Sequence, residues 1–372
     1  MQRALLWQRP LSLLLPTMNM QKKVLYLVAK HWALIFLLVL IVFFSLTGQN
    51  FFSLRNFNNI LIAATATLLL AAGETYVIIS GGIDLSVGFI MGFVAVSSAT
   101  VMQKLYAKGA GWPELLCILI GCAVGLVLGI IPGLINGVLV AKCRVPPFIA
   151  TLGMYGIANG VALKICEGFP VSFLPPVTGK IGNGFLAYYS SKNGLTFFEK
   201  PILTDRADIL ALKGLMPFSL LIVLILLAIF GVILSKTQFG QHTYAIGGNA
   251  DAAIRSGINV PWHLIKIYAI SSFLASCAGV LLVLRFTMGN HTQFSATYEL
   301  FAIASVVIGG ASLMGGSGTI AGTVIGVLLL GTLETGFVIV GIEVFYRYIA
   351  VGCILIFAVL IDQFFPELVH HE

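Results

Sequence analysis

Charge is what this sequence has least of: Asp, Glu, Lys and Arg make up 9% of its 372 residues, against about 25% in an ordinary soluble domain. A chain so poor in charge cannot cover a core with a wettable surface, which excludes a cytosolic enzyme, a nucleic-acid reader and a disordered tail. Acidic residues are the scarcer sign, 14 against 21 Lys and Arg. In a membrane protein that surplus reflects cytoplasmic loops, where Lys and Arg collect because they resist translocation, so no nucleic-acid partner is expected. The six cysteines, Cys117, Cys122, Cys143, Cys166, Cys277 and Cys353, include no C-x-x-C pair and read as small apolar fillers rather than metal ligands. No G-x-x-x-x-G-K-[ST] phosphate cradle occurs, and the glycine-rich run 315–318 lacks the lysine that would reach a phosphate. H-E-x-x-H and G-x-S-x-G are missing too, and the six histidines are scattered. The expectation is a chain that is no enzyme and binds no metal or cofactor. Any energy for uphill transport must come from elsewhere.

Apolar residues are what it has in excess, at 59%. A spanning helix needs roughly 20 of them, and suitable windows fall near 29–47, 58–80, 85–103, 113–141, 147–165, 215–235, 264–286, 299–313, 318–341 and 344–362. The fold class is therefore all-α, a polytopic membrane protein of about ten transmembrane helices. Lys22, Lys23 and Lys30 precede the first window, Lys142 and Arg144 follow the fourth, and Lys236, Arg255 and Lys266 surround the loop after the sixth. A cytoplasmic N-terminus puts all three clusters inside, while Lys104 and Lys108 then fall outside. Residues 1–28 read as a cytoplasmic leader, 29–365 as the membrane domain and 366–372 as a cytoplasmic tail. The stretch 166–214, broken by Pro170, Pro175, Pro176 and several glycines, reads as an irregular extracytoplasmic loop. The stretch 236–263 is a cytoplasmic loop holding a short helix over 249–255, with Asn249 as its N-cap and Gly257 and Pro261 after its end.

Glycine spacing indicates how the spans pack. Gly121, Gly125, Gly129, Gly133 and Gly137 recur every fourth residue and form one smooth stripe, interrupted by Pro132, which predicts a kink; Gly318, Gly322 and Gly326 repeat the device. Gly81–Gly88 is echoed by Gly309–Gly316, and glycine-broken segments in two halves of a membrane protein point to a transport pathway. Among ionisable residues in apolar windows, Lys164, Arg285 and Glu299 lie at window ends, where snorkelling explains them. Glu74 and Glu334 lie deeper, either lining a pathway or satisfied in helix packing. Asp84 is placed to cap a helix starting at Leu85.

The segment GGIDLSVG, Gly81 to Gly88, resembles the signature of ribose/galactose/xylose-type ATP-binding-cassette sugar permeases. YAIGGNADAAIRSGINV at 244–260 resembles that family's cytoplasmic coupling segment, and YELFAIASVVIGGASLMGGSGTIAGTVIG at 298–326 its C-terminal half. The resemblance covers roughly residues 55 to 365. It implies a permease subunit of a monosaccharide importer in a bacterial cytoplasmic (inner) membrane, working by alternating access with both termini cytoplasmic. The expected partners are a cytoplasmic ABC ATPase that carries the ATP, an extracytoplasmic sugar-binding protein, and a second permease as homodimer or heterodimer. Gly247, Gly248, Asn249, Asp251, Arg255 and Gly257 would then couple to the ATPase; Gly81, Gly82, Asp84, Ser86, Gly309 and Gly310 would form the signature, with Glu74 and Glu334 on the pathway. Permeases for autoinducer-2, nucleosides or branched-chain amino acids remain alternatives. So does an ion-coupled secondary transporter, which would need Glu74 and Glu334 on a shared cavity.

Overall fold

The computed structural model describes residues 31–364 apart from 108–111, 191, 193, 203 and 292–296; the expected leader 1–28 and tail 366–372 lie outside these residues. The chain is mostly helical. It begins with α1 (Trp32–Thr47), α2 (Leu54–Ile79), α3 (Val87–Ala107), α4 (Glu114–Ala141) and α5 (Pro147–Cys166). A shorter stretch then gives α6 (Val177–Asn183), β1 (Phe185–Ser190), β2 (Gly194–Phe197), α7 (Arg206–Ala211) and β3 (Lys213–Pro217). After it come α8 (Phe218–Lys236), α9 (Gln238–Gly248), α10 (Ala250–Arg255), α11 (Val260–Phe286), α12 (Tyr298–Ile308), α13 (Ile320–Val340) and α14 (Val344–Phe364).

Among the described residues 7 helices are long and apolar enough to cross a membrane: α2, α3, α4, α5, α8, α11 and α13; α1 and α12 are shorter apolar helices. The chain is thus a polytopic membrane protein. Burial sorts the seven. Helices α2, α3 and α11 are buried along most of their length, whereas α4, α5 and α8 are buried over about a third or less and turn Leu119, Val127, Ile157 and Ile225 outward. Such exposed apolar faces would be a liability in water and are solvated by lipid chains.

The glycine stripes do what their spacing predicts. A Cβ on Gly137 would lie 2.7 Å from the Ile265 Cα, and Gly129 and Gly133 abut Ser276 and Ser272 of the same helix, α11. Gly121 and Gly125 abut Met102 and Ser98 of α3. Helix α4 therefore lies backbone-close against both central helices, continuous through Pro132, while the Ser272 hydroxyl donates to the Gly129 carbonyl at 2.7 Å. On the other stripe, Gly322 rests on Gly309 and Gly326 on Ser305, which closes α12 against α13.

Three expectations need correction. The stretch 166–214 is not irregular, and the class is not purely α: β1 pairs antiparallel with both β2 and β3, with Tyr188 opposite Thr196 and Ala187 opposite Leu215. Its tyrosines, Thr196 and Phe197 favour extended backbone, and Gly194 takes φ +65° at the turn. The window 299–313 is also cut short. Helix α12 ends at Ile308 because Gly309-Gly310 follows, and its 11 residues reach only about 16 Å, so the turn after it sits within the depth of the bundle.

The sheet marks one end of the molecule. Asn58, near the start of α2, donates to the Gly214 carbonyl at 2.8 Å, and Asn183 donates to the Arg285 carbonyl at the far end of α11. The opposite end of α2 meets α9 and the α12–α13 connection.

Candidate functional site: a buried polar cluster and a glycine junction

The internal echo corresponds to a structural repeat of one helix ending, shifted by one residue so that Gly81 matches Gly310 rather than Gly309. After α2 the Gly81 N–H bonds the Ile78 carbonyl and the Gly82 N–H bonds that of Val77, each at 2.9 Å. After α12 the Gly310 N–H bonds Val307 and the Ala311 N–H bonds Val306, at 2.9 and 3.1 Å. This paired closure, with a left-handed residue just past the helix, is the Schellman arrangement. Gly81 and Gly310 supply it at φ +84° and +90°, angles that cost other residues energy.

Beyond the first of these turns the chain folds back on α2. The Asp84 N–H donates to Glu74 Oε1 at 3.0 Å, although ten residues separate them. One oxygen of Asp84 accepts the Ser86 N–H at 3.0 Å and the Ser86 hydroxyl; the other accepts the Ser271 hydroxyl at 3.2 Å. Asn136 of α4 donates to Ser86 Oγ at 3.0 Å. Glu74, Asp84, Ser86, Asn136 and Ser271 are all fully buried. Gly82 has no room for a side chain, since a Cβ there would lie 2.7 Å from the Tyr268 hydroxyl. Asp84 therefore organises the turn as expected, but the helix it leads into starts at Val87 rather than Leu85. Residues from α2, α4 and α11 converge on it, and Asn136, Ser271 and Tyr268 were not singled out by the sequence. The signal available was a set of polar groups within apolar windows.

The second turn joins a different partner. The Gly316 N–H donates to the Ile79 carbonyl at 2.8 Å, so the two glycine-ended loops touch. Gly247, at the end of α9, packs so closely on the Ile79 carbonyl and on Gly316 that no Cβ fits. Tyr244 fixes the same contact by donating to the Gly318 carbonyl at 2.7 Å. Gly247 is thus an internal packing residue. Gly248, Asn249, Asp251, Arg255 and Gly257 are exposed. Asn249 caps α10 by accepting the Ala252 N–H at 2.9 Å, and Gly257 closes it at φ +85°. Ala253 anchors this short helix on Ile246 and Val260, leaving Asp251, Ile254 and Arg255 outward. Beside it, Lys142 stands over the Trp262 ring at 5.5 Å, and Cys143 in the adjacent connection is exposed.

Glu334 lies elsewhere. It lines a cavity of about 590 Å³ near the sheet end, together with Arg285, Tyr298, Thr335 and Tyr348. Glu74, fully buried beside Asp84, is not among the residues lining it. Lys164 is exposed, as snorkelling requires. Arg285 instead donates to the Ile62 carbonyl at 3.1 Å, and Glu299 is buried in the first turn of α12, where the positive end of the helix dipole favours a carboxylate. Among the described residues no group of three or more His, Cys, Asp or Glu is placed to hold a metal ion.

Lipid-facing helices around a buried polar turn, with a short capped helix at one end, define a multi-pass membrane protein. Comparison makes the assignment specific: the family described as "Branched-chain amino acid transport system / permease component" matches residues 56–359, and the chain belongs to it. It is 36% identical to a ribose import permease protein of Bacillus subtilis, across 88% of this chain and 90% of that one. A galactose/methyl galactoside import permease protein of Escherichia coli is 34% identical, with 88% and 92% covered. A xylose transport system permease protein of Haemophilus influenzae is 36% identical, with 88% and 94% covered. No solved structure matches the chain.

Proposed function

We propose that the chain is the permease subunit of an ABC importer that carries a monosaccharide, a pentose or hexose, inward. The observation that carries this reading is the likeness, at 34 to 36% identity over nearly full length, to permeases for ribose, galactose and xylose. Ten apolar helices build the membrane unit, the seven long ones together with α1, α12 and α14, of which α12 enters only part of the way. Both termini face the cytoplasm, and the sheet between α5 and α8 faces outward to receive a sugar-binding protein. At the other end α10 seats on a cytoplasmic ATPase that binds the ATP, with Asp251 and Arg255 fixing it. A second permease, identical or different, completes the membrane unit in the bacterial inner membrane.

The glycine junction supports alternating access. Helix α10 follows α9 with Asn249 alone between them, and α9 is held against the turns that follow α2 and α12. Approach of two ATPases would push α10, and the junction would pass that displacement to Asp84 and the central helices. The rival ion-coupled reading loses support from the separation of Glu74 and Glu334. Autoinducer-2, a nucleoside or a branched-chain amino acid is the runner-up cargo.

The test is reconstitution of the permease in vesicles with its ATPase and binding protein. Uptake that needs ATP and the loaded binding protein, and survives a protonophore, is the expected result. Accumulation by the lone permease under a cation gradient would overturn the reading. Charge reversal at both Asp251 and Arg255 should release the ATPase; unchanged association and uptake would remove α10 from the coupling role.

A further inference from the structure

Two sizeable cavities open toward the sheet end, and they differ in chemistry. One, of about 660 Å³, lies between the start of α2 and the sheet; its charged lining consists of Arg55, Lys200 and Lys213, with no carboxylate. The other is the Glu334 cavity of about 590 Å³, bounded by α2, α11, α12, α13 and α14. It penetrates between membrane helices, at the end of the molecule opposite α10. Both volumes fall in the range of small-ligand sites, about 300–1,000 Å³.

We infer that the cavity bounded by Arg285, Tyr298, Gly331, Glu334, Thr335 and Tyr348 is the outer sugar-receiving site of the permease. This rests on the importer reading above and deepens it. Gly331, Glu334, Thr335 and Val338 fall at i, i+3, i+4 and i+7 of α13 and all line the cavity, so they form one helical face. On that face Glu334 offers a carboxylate, an acceptor for hydroxyl hydrogen bonds. Arg285, from the last turn of α11, offers a fork of donors. The two charges cancel, which suits a neutral polyol. Phe286, Tyr298, Phe301 and Tyr348 border the same space, and the negative face of an aromatic ring attracts the C–H face of a pyranose or furanose. Gly331 keeps the space open: a Cβ there would meet only Ile60, at 3.7 Å, so a longer side chain would grow into the cavity without displacing backbone.

The experiment is a size series at Gly331 beside Glu334→Gln, in the reconstituted complex with ATPase and binding protein, using radiolabelled ribose, galactose and xylose. The loss of uptake should grow with side-chain size, smaller for Gly331→Ala than for Gly331→Phe. Gly331→Phe should lower uptake by about tenfold or more, the scale on which pocket shape discriminates, while ATP hydrolysis stimulated by loaded binding protein stays within about twofold of wild type. Glu334→Gln should raise the KM for uptake more than it lowers the maximal rate. Wild-type uptake by Gly331→Phe, or a parallel fall of uptake and stimulated hydrolysis, would overturn the assignment. If Gly331→Phe fails to assemble with the ATPase, Glu334→Gln decides, and an unchanged KM overturns it. Failure of the importer reading shows differently, as wild-type protein that takes up none of the three sugars.

Discussion

The turn after α2 and the turn after α12 share one backbone geometry and have opposite fillings. Both close with the same pair of hydrogen bonds around a left-handed glycine. The first then buries two carboxylates and ties α2, α4 and α11 together through Asp84. The second carries Leu313 at the position matching Asp84, with Ser312 one residue before it, and its backbone, through Gly315, Gly316 and Gly318, docks α9. A repeated fold element has thus been specialised, one copy as a polar clasp inside the bundle and the other as a seat for the element leading to α10.

Substitutions break the comparison at graded cost. The largest effect is expected from Asp84→Ala, which strands the Ser86 N–H, the Ser86 hydroxyl and the Ser271 hydroxyl in a dry site; at about 1–3 kcal/mol for each orphaned buried donor, the loss should exceed about 3 kcal/mol. Thermal unfolding of the detergent-solubilised protein measures it, and a loss no greater than that of Ser312→Ala would show that the clasp holds nothing. Gly247→Ala comes next, since its methyl group would press on the Ile79 carbonyl; overpacking of this kind costs about 1–3 kcal/mol. Uptake should fall further than stability in that variant if the junction carries motion, and equal declines would reduce it to packing. Gly81→Ala and Gly310→Ala should cost about 1–2 kcal/mol each and nearly equal amounts, because the space beside both is open and only the positive φ resists. Ser312→Ala should be mildest, about 1 kcal/mol or less, although Ser312 Oγ accepts the Met314 N–H at 3.2 Å.

Much of the framework was legible in the sequence because lipid imposes a simple rule: apolar runs of a given length become helices. The windows at 113–141 and 147–165 match α4 and α5 within a residue. Gly81 and Gly310 were legible as helix ends, and Asn249 as a cap, since these depend on neighbours within a few positions. The hairpin of β1 and β2 was missed by reading the stretch only for its breakers, although the strand formers Tyr188, Tyr189, Thr196 and Phe197 stand in it. The contact of Glu74 with the Asp84 backbone depends on a chain reversal, and the seat of Gly247 on Ile79 and Gly316 joins segments far apart in sequence. No local pattern encodes either. Glu299, expected to snorkel from a window end, is instead buried in the first turn of its helix.

The exposed thiol of Cys143 has a practical consequence. It stands in the α4–α5 connection beside Lys142, whereas Cys117 and Cys166 are buried and the other exposed thiol, Cys353, lies on the apolar helix α14. A bulky, charged maleimide that cannot cross lipid will modify Cys143 only from the compartment onto which this end of the molecule opens. Labelling sealed vesicles of known sidedness therefore reads the orientation of the native polypeptide without engineering a reporter into it.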